Sequence, residues 1–414
     1  MMLNPFQTRR IRAALVTLHR WFGLFAATFL FIAGATGALI AWDHELDAWL
    51  NPHWFRATSH AQPMPPLDLA DQLERADPRI RVRWMPLSIE TGHTLLVAAQ
   101  PTVNPATGQP HALDFDQVAL DPSTGQVLGQ RMWGQISLAP EHLMPFLYKL
   151  HSTMHLPAIG GLELDVWFMG MIAMVWVVDT LIAMWIAFPN WQQWRRSFTF
   201  RWSTGGHRLV FDLHRSGGVW LFLLVLMLAV TSVSMNLNEQ IMRPMVSWFS
   251  NVQPSPFALA KLNQARDPTP PSQQPPSRRD IVALAQAQAQ QRNWSQPLGA
   301  IFHHERAGVW GVGFFEAGTG HGDGGLGHPW LYFDARNGRL LKALEPGTGS
   351  AGDVFLQAMF PLHSGRIIGL PGRILMSVMG ILIAGLSLTG VLIWARKRKA
   401  QRHRQHSLVH LARQ

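Results

Sequence analysis

The sequence predicts an integral membrane α-helical protein with four transmembrane helices in two parallel repeats, together with two external α+β domains. Three observations predict this fold: four long apolar stretches, an internal duplication, and basic charge confined to three segments. The composition agrees, because 48% of the 414 residues are hydrophobic and only 14% are charged. This balance is typical of membrane proteins.

Four stretches have the length of apolar helix that crosses a bilayer. A bilayer core takes about 20 consecutive apolar residues in a helix, and such stretches occur at residues 21–42, 162–188, 217–237 and 371–395. The first is too long for the apolar core of a signal peptide and has no small-residue cleavage site after it. We therefore expect it to be a retained helix.

Basic residues predict the side of the membrane on which each segment lies. Residues 1–20, 189–215 and 395–414 contain 16 of the 35 Lys and Arg residues but one acidic residue, Asp212. By the positive-inside rule, these segments and both chain termini are cytoplasmic. Because the positive charge follows the helix ends, we attribute it to topology and to contact with anionic membrane lipids, and we expect no nucleic-acid partner.

The chain carries an internal duplication. "LHRWFG" at 18–23 is repeated as "LHRSGG" at 213–218, and "LHSTMHLPAIGG" at 150–161 as "LHSGRIIGLPGR" at 362–373. The second predicted helix of each half also contains a Thr that is followed, after four residues, by a Trp. Both halves run out of the cytoplasm and back, so they are predicted to be parallel repeats about an axis along the membrane normal.

The external segments repeat as well. "VALDPSTGQVLGQ" (118–130) and "LYFDARNGRLLKA" (331–343) both predict two strands joined by a turn on Asp and Gly. A helical pattern and an alternating strand pattern precede each hairpin. We expect each external segment to form a small α+β domain, with a Pro/Gln-rich linker at 268–277 and a glycine-rich loop at 316–329.

The predicted organisation follows from these boundaries. A cytoplasmic N-terminus with the first span (1–43) is followed by an external domain (44–155) and a second span (156–188). A cytoplasmic loop (189–207) then leads to a third span (208–237), a second external domain (238–365), a fourth span (366–396) and a basic cytoplasmic tail (397–414).

The duplication matches four histidines in two pairs. His19 and His214 are expected at the cytoplasmic mouth of the helices, and His151 and His363 at the external mouth. A histidine at membrane depth needs a partner and indicates a functional site. Two facing imidazoles suit the axial positions of a haem iron, so we expect two haems and outer-sphere electron transfer. His155, one helical turn after His151, is a reserve ligand.

Other residues extend this hypothesis. Arg20 and Arg215 follow two of the histidines, and a guanidinium is well shaped to bind a haem propionate. Asp179 lies within an apolar span, where it could relay protons, stabilise a buried charge or bond to a neighbouring hydroxyl. His321 and His328 could contact a substrate.

The sequence also limits the chemistry. The chain has no cysteine, which excludes disulfides, thiolate-bound iron–sulfur clusters and covalently attached c-type haem. No nucleotide-binding motif is present. A reductase would therefore take electrons from another protein, a quinol or a diffusing flavin.

Six motifs stand in order around the four spans and two external domains: "LHRWFGLF", "GATG", "DHELDAWLNP", "LYKLHS", "DLHRSGG" and "PLHSGRIIGLPGR". Over about Leu15 to Arg396, the chain resembles the PepSY-associated transmembrane family, and most of all its bacterial inner-membrane ferric-siderophore reductases of the ferrioxamine-reductase kind. The resemblance implies PepSY-like periplasmic domains, two haem b groups, and reduction of the Fe(III) of a ferric siderophore at the periplasmic face. The haem ligands implied are His19, His151, His214 and His363.

Two other functions remain open from the sequence. One is a transporter or permease for iron or siderophore that uses the histidines and Asp179 as metal or proton sites. The other is a regulatory protein whose external domains bind a partner while the helices anchor it. Neither alternative predicts a haem spectrum.

Overall fold

A computed structural model of the chain describes residues 5–59, 61–159, 162–188, 191–266, 275–320, 322 and 324–411. Residues 268–274 of the predicted linker and His321 lie outside this part of the chain.

The first half of the chain begins and ends with a long apolar helix. Its elements are α1 (Pro5–Ile40), α2 (Asp43–Leu50), α3 (Pro52–Phe55), α4 (Pro66–Ala76), β1 (Ile80–Pro86), β2 (Leu95–Pro101), β3 (Gln117–Leu120), β4 (Val127–Arg131), α5 (Pro140–Thr153), β5 (Ala158–Ile159), β6 (Leu162–Glu163) and α6 (Leu164–Ala187).

The second half follows a similar order after two short 3₁₀ segments, Trp191–Phe198 and Trp202–Thr204. Its elements are α7 (Gly206–Asn236), a π-helical turn (Asn238–Met242), α8 (Arg243–Ser247), α9 (Pro256–Arg266), α10 (Arg278–Gln291), β7 (Leu298–His304), β8 (Val309–Phe314), β9 (Trp330–Asp334), β10 (Leu340–Leu344), α11 (Ala351–Ser364) and α12 (Leu370–Leu411). Single 3₁₀ turns occur at Glu305–Ala307 and Arg366–Ile368.

Among the described residues, four helices are long and apolar enough to cross a membrane: α1, α6, α7 and α12. They correspond to the four predicted stretches. Helix α1 begins at Pro5, well before the predicted start of the span at residue 21. His19 therefore lies several turns inside this helix, although it stands at the start of the apolar run.

The four long helices form a closed ring. Helix α1 contacts α12 and α6, and α7 contacts α6 and α12. Helices α1 and α12 are antiparallel and approach closely, because a Cβ on Gly34 would lie 2.6 Å from the carbonyl oxygen of Gly380. Close glycine contacts of this kind are common between membrane helices.

All eight long strands form one antiparallel sheet, in the order β10-β9-β8-β7-β1-β2-β3-β4. The two predicted α+β segments therefore share one continuous sheet. Strands β1 and β7 join the halves, with Met85 opposite Ile301 at the junction. Residues from both halves, among them Leu69 of α4 and Ile281 of α10, form a single buried apolar core on one face of the sheet. Sharing this core buries more apolar surface than either half could bury alone.

The two predicted hairpins are confirmed. β3 pairs with β4 and β9 with β10. In the first turn, the Asp121 carboxylate accepts hydrogen bonds from the backbone N–H groups of Ser123 and Thr124, and Gly125 has a φ of 71°. Gly338 occupies the same place in the second turn, with a φ of 72°. Glycine adopts this left-handed conformation without steric cost.

A buried ion pair joins the sheet to the membrane helices. Arg131 at the end of β4 binds Asp47 of α2 through two hydrogen bonds of 3.1 and 2.7 Å. Both side chains are buried, and α2 follows α1 after a two-residue turn. The bidentate geometry fixes the orientation of the sheet above α1.

Candidate functional site

The structure brings together the members of both histidine pairs. His19 of α1 and His214 of α7 have ring centroids 6.1 Å apart, with the ring planes inclined at 40°. His151 of α5 and His363 of α11 have centroids 6.3 Å apart and planes inclined at 57°. We call the first the termini-side pair and the second the sheet-side pair.

The two pairs lie at opposite ends of the helix ring. The sheet-side pair lies beside Thr36 of α1 and Thr231 of α7. Thr36 lies 17 positions after His19, and Thr231 lies 17 positions after His214. At about 1.5 Å per helical residue, this spacing corresponds to about 26 Å, close to the hydrocarbon thickness of about 30 Å.

Helices α5 and α11 position the sheet-side pair. Helix α5 packs against α1, and α11 packs against α7. Each histidine lies in the last turn of its helix, which then ends in a left-handed residue, Met154 or Gly365. A Cβ on Gly37 of α1 would lie 2.9 Å from Cε1 of His151. Because Gly37 has no side chain, the imidazole of His151 can pack directly against α1.

Hydrogen bonds define the tautomer of two of these histidines. Nδ1 of His151 donates to the carbonyl oxygen of Ala33 at 2.9 Å, and Nδ1 of His214 donates to that of Leu386 at 3.0 Å. A carbonyl oxygen only accepts, so the proton is assigned to Nδ1 in both rings. The Nε2 atom then carries the lone pair.

The other two histidines have the same arrangement. His19 Nδ1 donates to Asp179 Oδ1 at 2.8 Å. His363 Nδ1 lies 3.0 Å from the Thr231 hydroxyl, which itself donates to the Met227 carbonyl and so accepts from the histidine. All of these hydrogen bonds involve Nδ1. Within the part of the chain that the structure describes, Nε2 of the four histidines has no hydrogen-bond partner.

The chemistry of this donor set suits a haem better than a bare ion. A bare transition-metal ion usually takes four or more ligands, whereas each pair supplies two, and the described residues contain no group of three or more His, Asp or Glu suited to a metal. Two imidazoles that bind one iron from opposite sides would each have a metal–nitrogen bond of about 2.0 Å and a nitrogen-to-centroid distance of about 1.1 Å. Their ring centroids would then lie about 6.2 Å apart. The observed distances match this separation, and the residues present fit two haems.

Arg215 already contacts protein groups. Its guanidinium donates to the carbonyl oxygen of Arg196 and lies 3.4 Å from Asp212, which Arg201 also binds. Its buried Nε has no hydrogen-bond partner among the described residues. Arg20 is half-buried on α1. Binding of propionates by Arg20 and Arg215 stays a prediction.

The prediction that His155 lies one helical turn after His151, on the same face, is wrong. Helix α5 ends at Thr153, and His155 has a positive φ of 55°, so it does not follow His151 on one helical face. Its Nε2 lies 3.2 Å from the carbonyl oxygen of Phe146, whose ring packs against the imidazole. His328 is one of the residues predicted to contact a substrate. Its Nε2 atom lies 2.7 Å from the carbonyl oxygen of Thr319.

Asp179 is a site residue whose partner sequence reasoning missed. Its contact with His19 joins α6 to α1 inside the helix ring. The sequence signal was an acidic residue in an apolar span, but the rotation of α6 that turns it toward His19 depends on packing.

These features define a multi-pass α-helical membrane protein with one eight-stranded sheet and two paired histidine sites. The family described as PepSY-associated TM region matches residues 16–397, so the chain belongs to the PepSY-associated transmembrane family. No curated protein matches the chain.

Proposed function

We propose that the protein is a haem-dependent reductase of the bacterial inner membrane that reduces the Fe(III) of a ferric siderophore in the periplasm. Electrons come from a quinol, a reduced flavin or a reductase protein, and pass through two bis-histidine haem b sites. The observation that carries this proposal is the presence of two facing imidazole pairs, in which each Nδ1 is hydrogen-bonded and each Nε2 has no hydrogen-bond partner among the described residues.

The residues of each pair hold and orient the cofactor in this proposal. A bound haem would supply one-electron transfer. His19 and His214 would hold one haem through Nε2, and His151 and His363 would hold the other. The partners of Nδ1 fix each ring and increase the basicity of the ligating nitrogen. Arg20 and Arg215 would neutralise haem propionates near the termini-side pair.

The proposed repeat explains why the pairs form. The contacts between α1 and α12 correspond to those between α7 and α6, and the sheet consists of two four-stranded halves in the same order. We infer parallel repeats related by an axis through the ring of helices. The charge distribution supports cytoplasmic termini and a periplasmic sheet.

Electron balance follows from the chemistry of iron. Siderophore oxygen atoms are hard ligands that suit Fe(III). One electron converts Fe(III) to Fe(II), lowers the metal charge and weakens its binding to these ligands. A quinol that gives up two electrons and two protons therefore reduces two ferric complexes. The sheet-side pair is the exit site for the electrons, and the sheet above it is the docking region.

The test uses the purified protein in detergent with its haem content intact. After reduction by dithionite and removal of the excess, ferrioxamine B is added as the probe together with a ferrous-iron chelator. We expect the Soret band to return to its oxidised position and one Fe(II) to be trapped per electron. The His151→Ala variant should lose this reoxidation, whereas the control His403→Ala, in the exposed end of α12 away from the sheet, should retain it. A haem protein that is not reoxidised would contradict reduction of this siderophore, and a protein without a Soret band would contradict the haem sites and favour a transport or anchoring role.

A further inference from the structure

The two histidine pairs differ in the charge of their hydrogen-bond partners. Three of the four imidazoles bond through Nδ1 to neutral oxygen atoms, which belong to Ala33, Leu386 and Thr231. His19 alone among the four bonds to a carboxylate, that of Asp179, at 2.8 Å. The termini-side pair therefore carries a negative charge that the sheet-side pair does not.

This difference interrupts the repeat at one position. Thr180 of α6 corresponds to Thr389 of α12, whose hydroxyl lies 3.2 Å from Nδ1 of His214. The residue before Thr389 is Leu388, and the residue before Thr180 is Asp179. Equivalent segments of α6 and α12 thus support the two termini-side histidines, but only α6 supplies a charged acceptor.

Packing holds the carboxylate beside α1. Side-chain exposures of 14% for Asp179 and 24% for His19 show that both groups are largely removed from the surface. The second carboxylate oxygen faces Gly23, one turn along α1 from His19, where a Cβ would lie 3.7 Å away. Asp179 is therefore held in place between two positions of α1 and aimed at His19.

A carboxylate acceptor changes the metal through its imidazole ligand. It polarises the Nδ1–H bond and makes Nε2 a stronger electron donor. Its negative charge, in a region of low dielectric constant, also favours the more positive ferric state over the ferrous state. Both effects act in the same direction and lower the reduction potential of an iron bound to His19.

We propose, on the basis of the proposed function, that Asp179 is a positioning and tuning residue that makes the termini-side haem the lower-potential member of the two. An electron that enters at the termini side is then driven toward the sheet side, where the ferric substrate docks. The direction of electron flow would be set by one side chain that departs from the repeat.

The test is a spectroelectrochemical titration of the purified holoprotein. The component that is absent from the His214→Ala variant identifies the termini-side haem. In Asp179→Asn, we expect the midpoint potential of this component to rise by an amount that corresponds to at least a tenfold change in the ferric-to-ferrous ratio, about 59 mV for one electron. The other component should not move. Asp179→Glu, which keeps the charge, should restore most of the original potential. Asp165→Asn, which removes a carboxylate from the opposite end of α6, is the matched control and should leave this component unchanged.

The outcomes separate the inference from the function on which it rests. A preparation without haem would refute the proposed function before any potential is measured. Two haems with potentials unchanged in Asp179→Asn, or shifted equally, would refute only the role of Asp179. If the asparagine variant loses the termini-side haem, Asp179→Gln is titrated in its place. Loss of that haem from both uncharged variants would also overturn the inference, because Asp179 would then serve retention of the haem and not its potential.

Discussion

The imidazoles of His151 and His363 lie 6.3 Å apart, although neither α5 nor α11 is among the candidate membrane spans. These two short helices insert the histidines against α1 and α7 from the sheet side. The sheet-side pair is therefore supported by elements outside the spans, while the termini-side pair lies within them. This difference makes the two sites separately testable.

The hydrogen-bond support of the sheet-side pair predicts unequal effects of two equivalent threonines. Nδ1 of His151 bonds to the Ala33 carbonyl and also lies 3.3 Å from the Thr36 hydroxyl. Among the described residues, Nδ1 of His363 has one hydrogen-bond partner, the Thr231 hydroxyl. Thr231→Val should weaken haem retention at this pair by about 10-fold or more, and Thr36→Val should weaken it less. Haem loss to apomyoglobin, followed in the Soret region, measures both. Equal effects would contradict the unequal support.

Two glycines predict a graded loss of haem. A Cβ at Gly37 would lie 2.9 Å from His151 Cε1, and one at Gly390 would lie 3.1 Å from His214 Cε1. Gly37→Ala should therefore displace the sheet-side ligand strongly, and Gly390→Ala should displace the termini-side ligand less. Gly385→Ala is the matched control, since a Cβ there meets nothing within 4 Å. Haem content per protein measures all three, and equal haem content in the three variants would count against this account.

The turn at Asp121 predicts a pH dependence of stability. Burial raises the pKa of this carboxyl, but hydrogen bonds from Thr58, Ser59 and Ser123 outweigh burial and hold it well below its ordinary value of 3.8. A lowered pKa in the folded state stabilises the fold above the unfolded pKa of about 3.9, and this contribution decreases as the pH falls further. Asp121→Asn should lower the Tm at pH 7, and the difference from wild type should shrink below about pH 4. The exposed Asp114→Asn is the control, and a Tm difference independent of pH would contradict the prediction.

The absence of cysteine allows a direct test of orientation. We expect Ala106→Cys, in an exposed loop beside the sheet, to react with a membrane-impermeant maleimide on intact spheroplasts. Gln401→Cys, in the exposed end of α12, should react only after lysis. The unaltered chain provides a background without label because it has no cysteine. The reverse pattern would place the sheet in the cytoplasm and contradict the proposed direction of electron transfer.

Local patterns predicted much of this fold. The apolar stretches gave the four long helices, and the Asp and Gly of each hairpin gave both turns, because these features depend on residues close in sequence. The duplication also indicated which histidines would meet, since equivalent residues lie at equal depth about a common axis.

Contacts between distant segments were not predictable in the same way. The pairing of β1 with β7, which unites the sheet, joins Met85 to Ile301, and no local pattern indicates it. The end of α5 at Thr153, which removes His155 from the face of His151, depends on the left-handed residue Met154. The contact between Asp179 and His19 depends on the rotation of α6 about its axis, which the packing of four helices sets.

The most direct test of the central claim is the haem content per chain, measured as the pyridine haemochrome, in the wild type and in single alanine variants of the four histidines. We predict two haems in the wild type and one in each variant, with His19→Ala and His214→Ala losing the same haem, His151→Ala and His363→Ala losing the other, and the control His155→Ala retaining both. A colourless wild-type protein from haem-replete cells, or variants of one pair that lose different haems, would contradict the account.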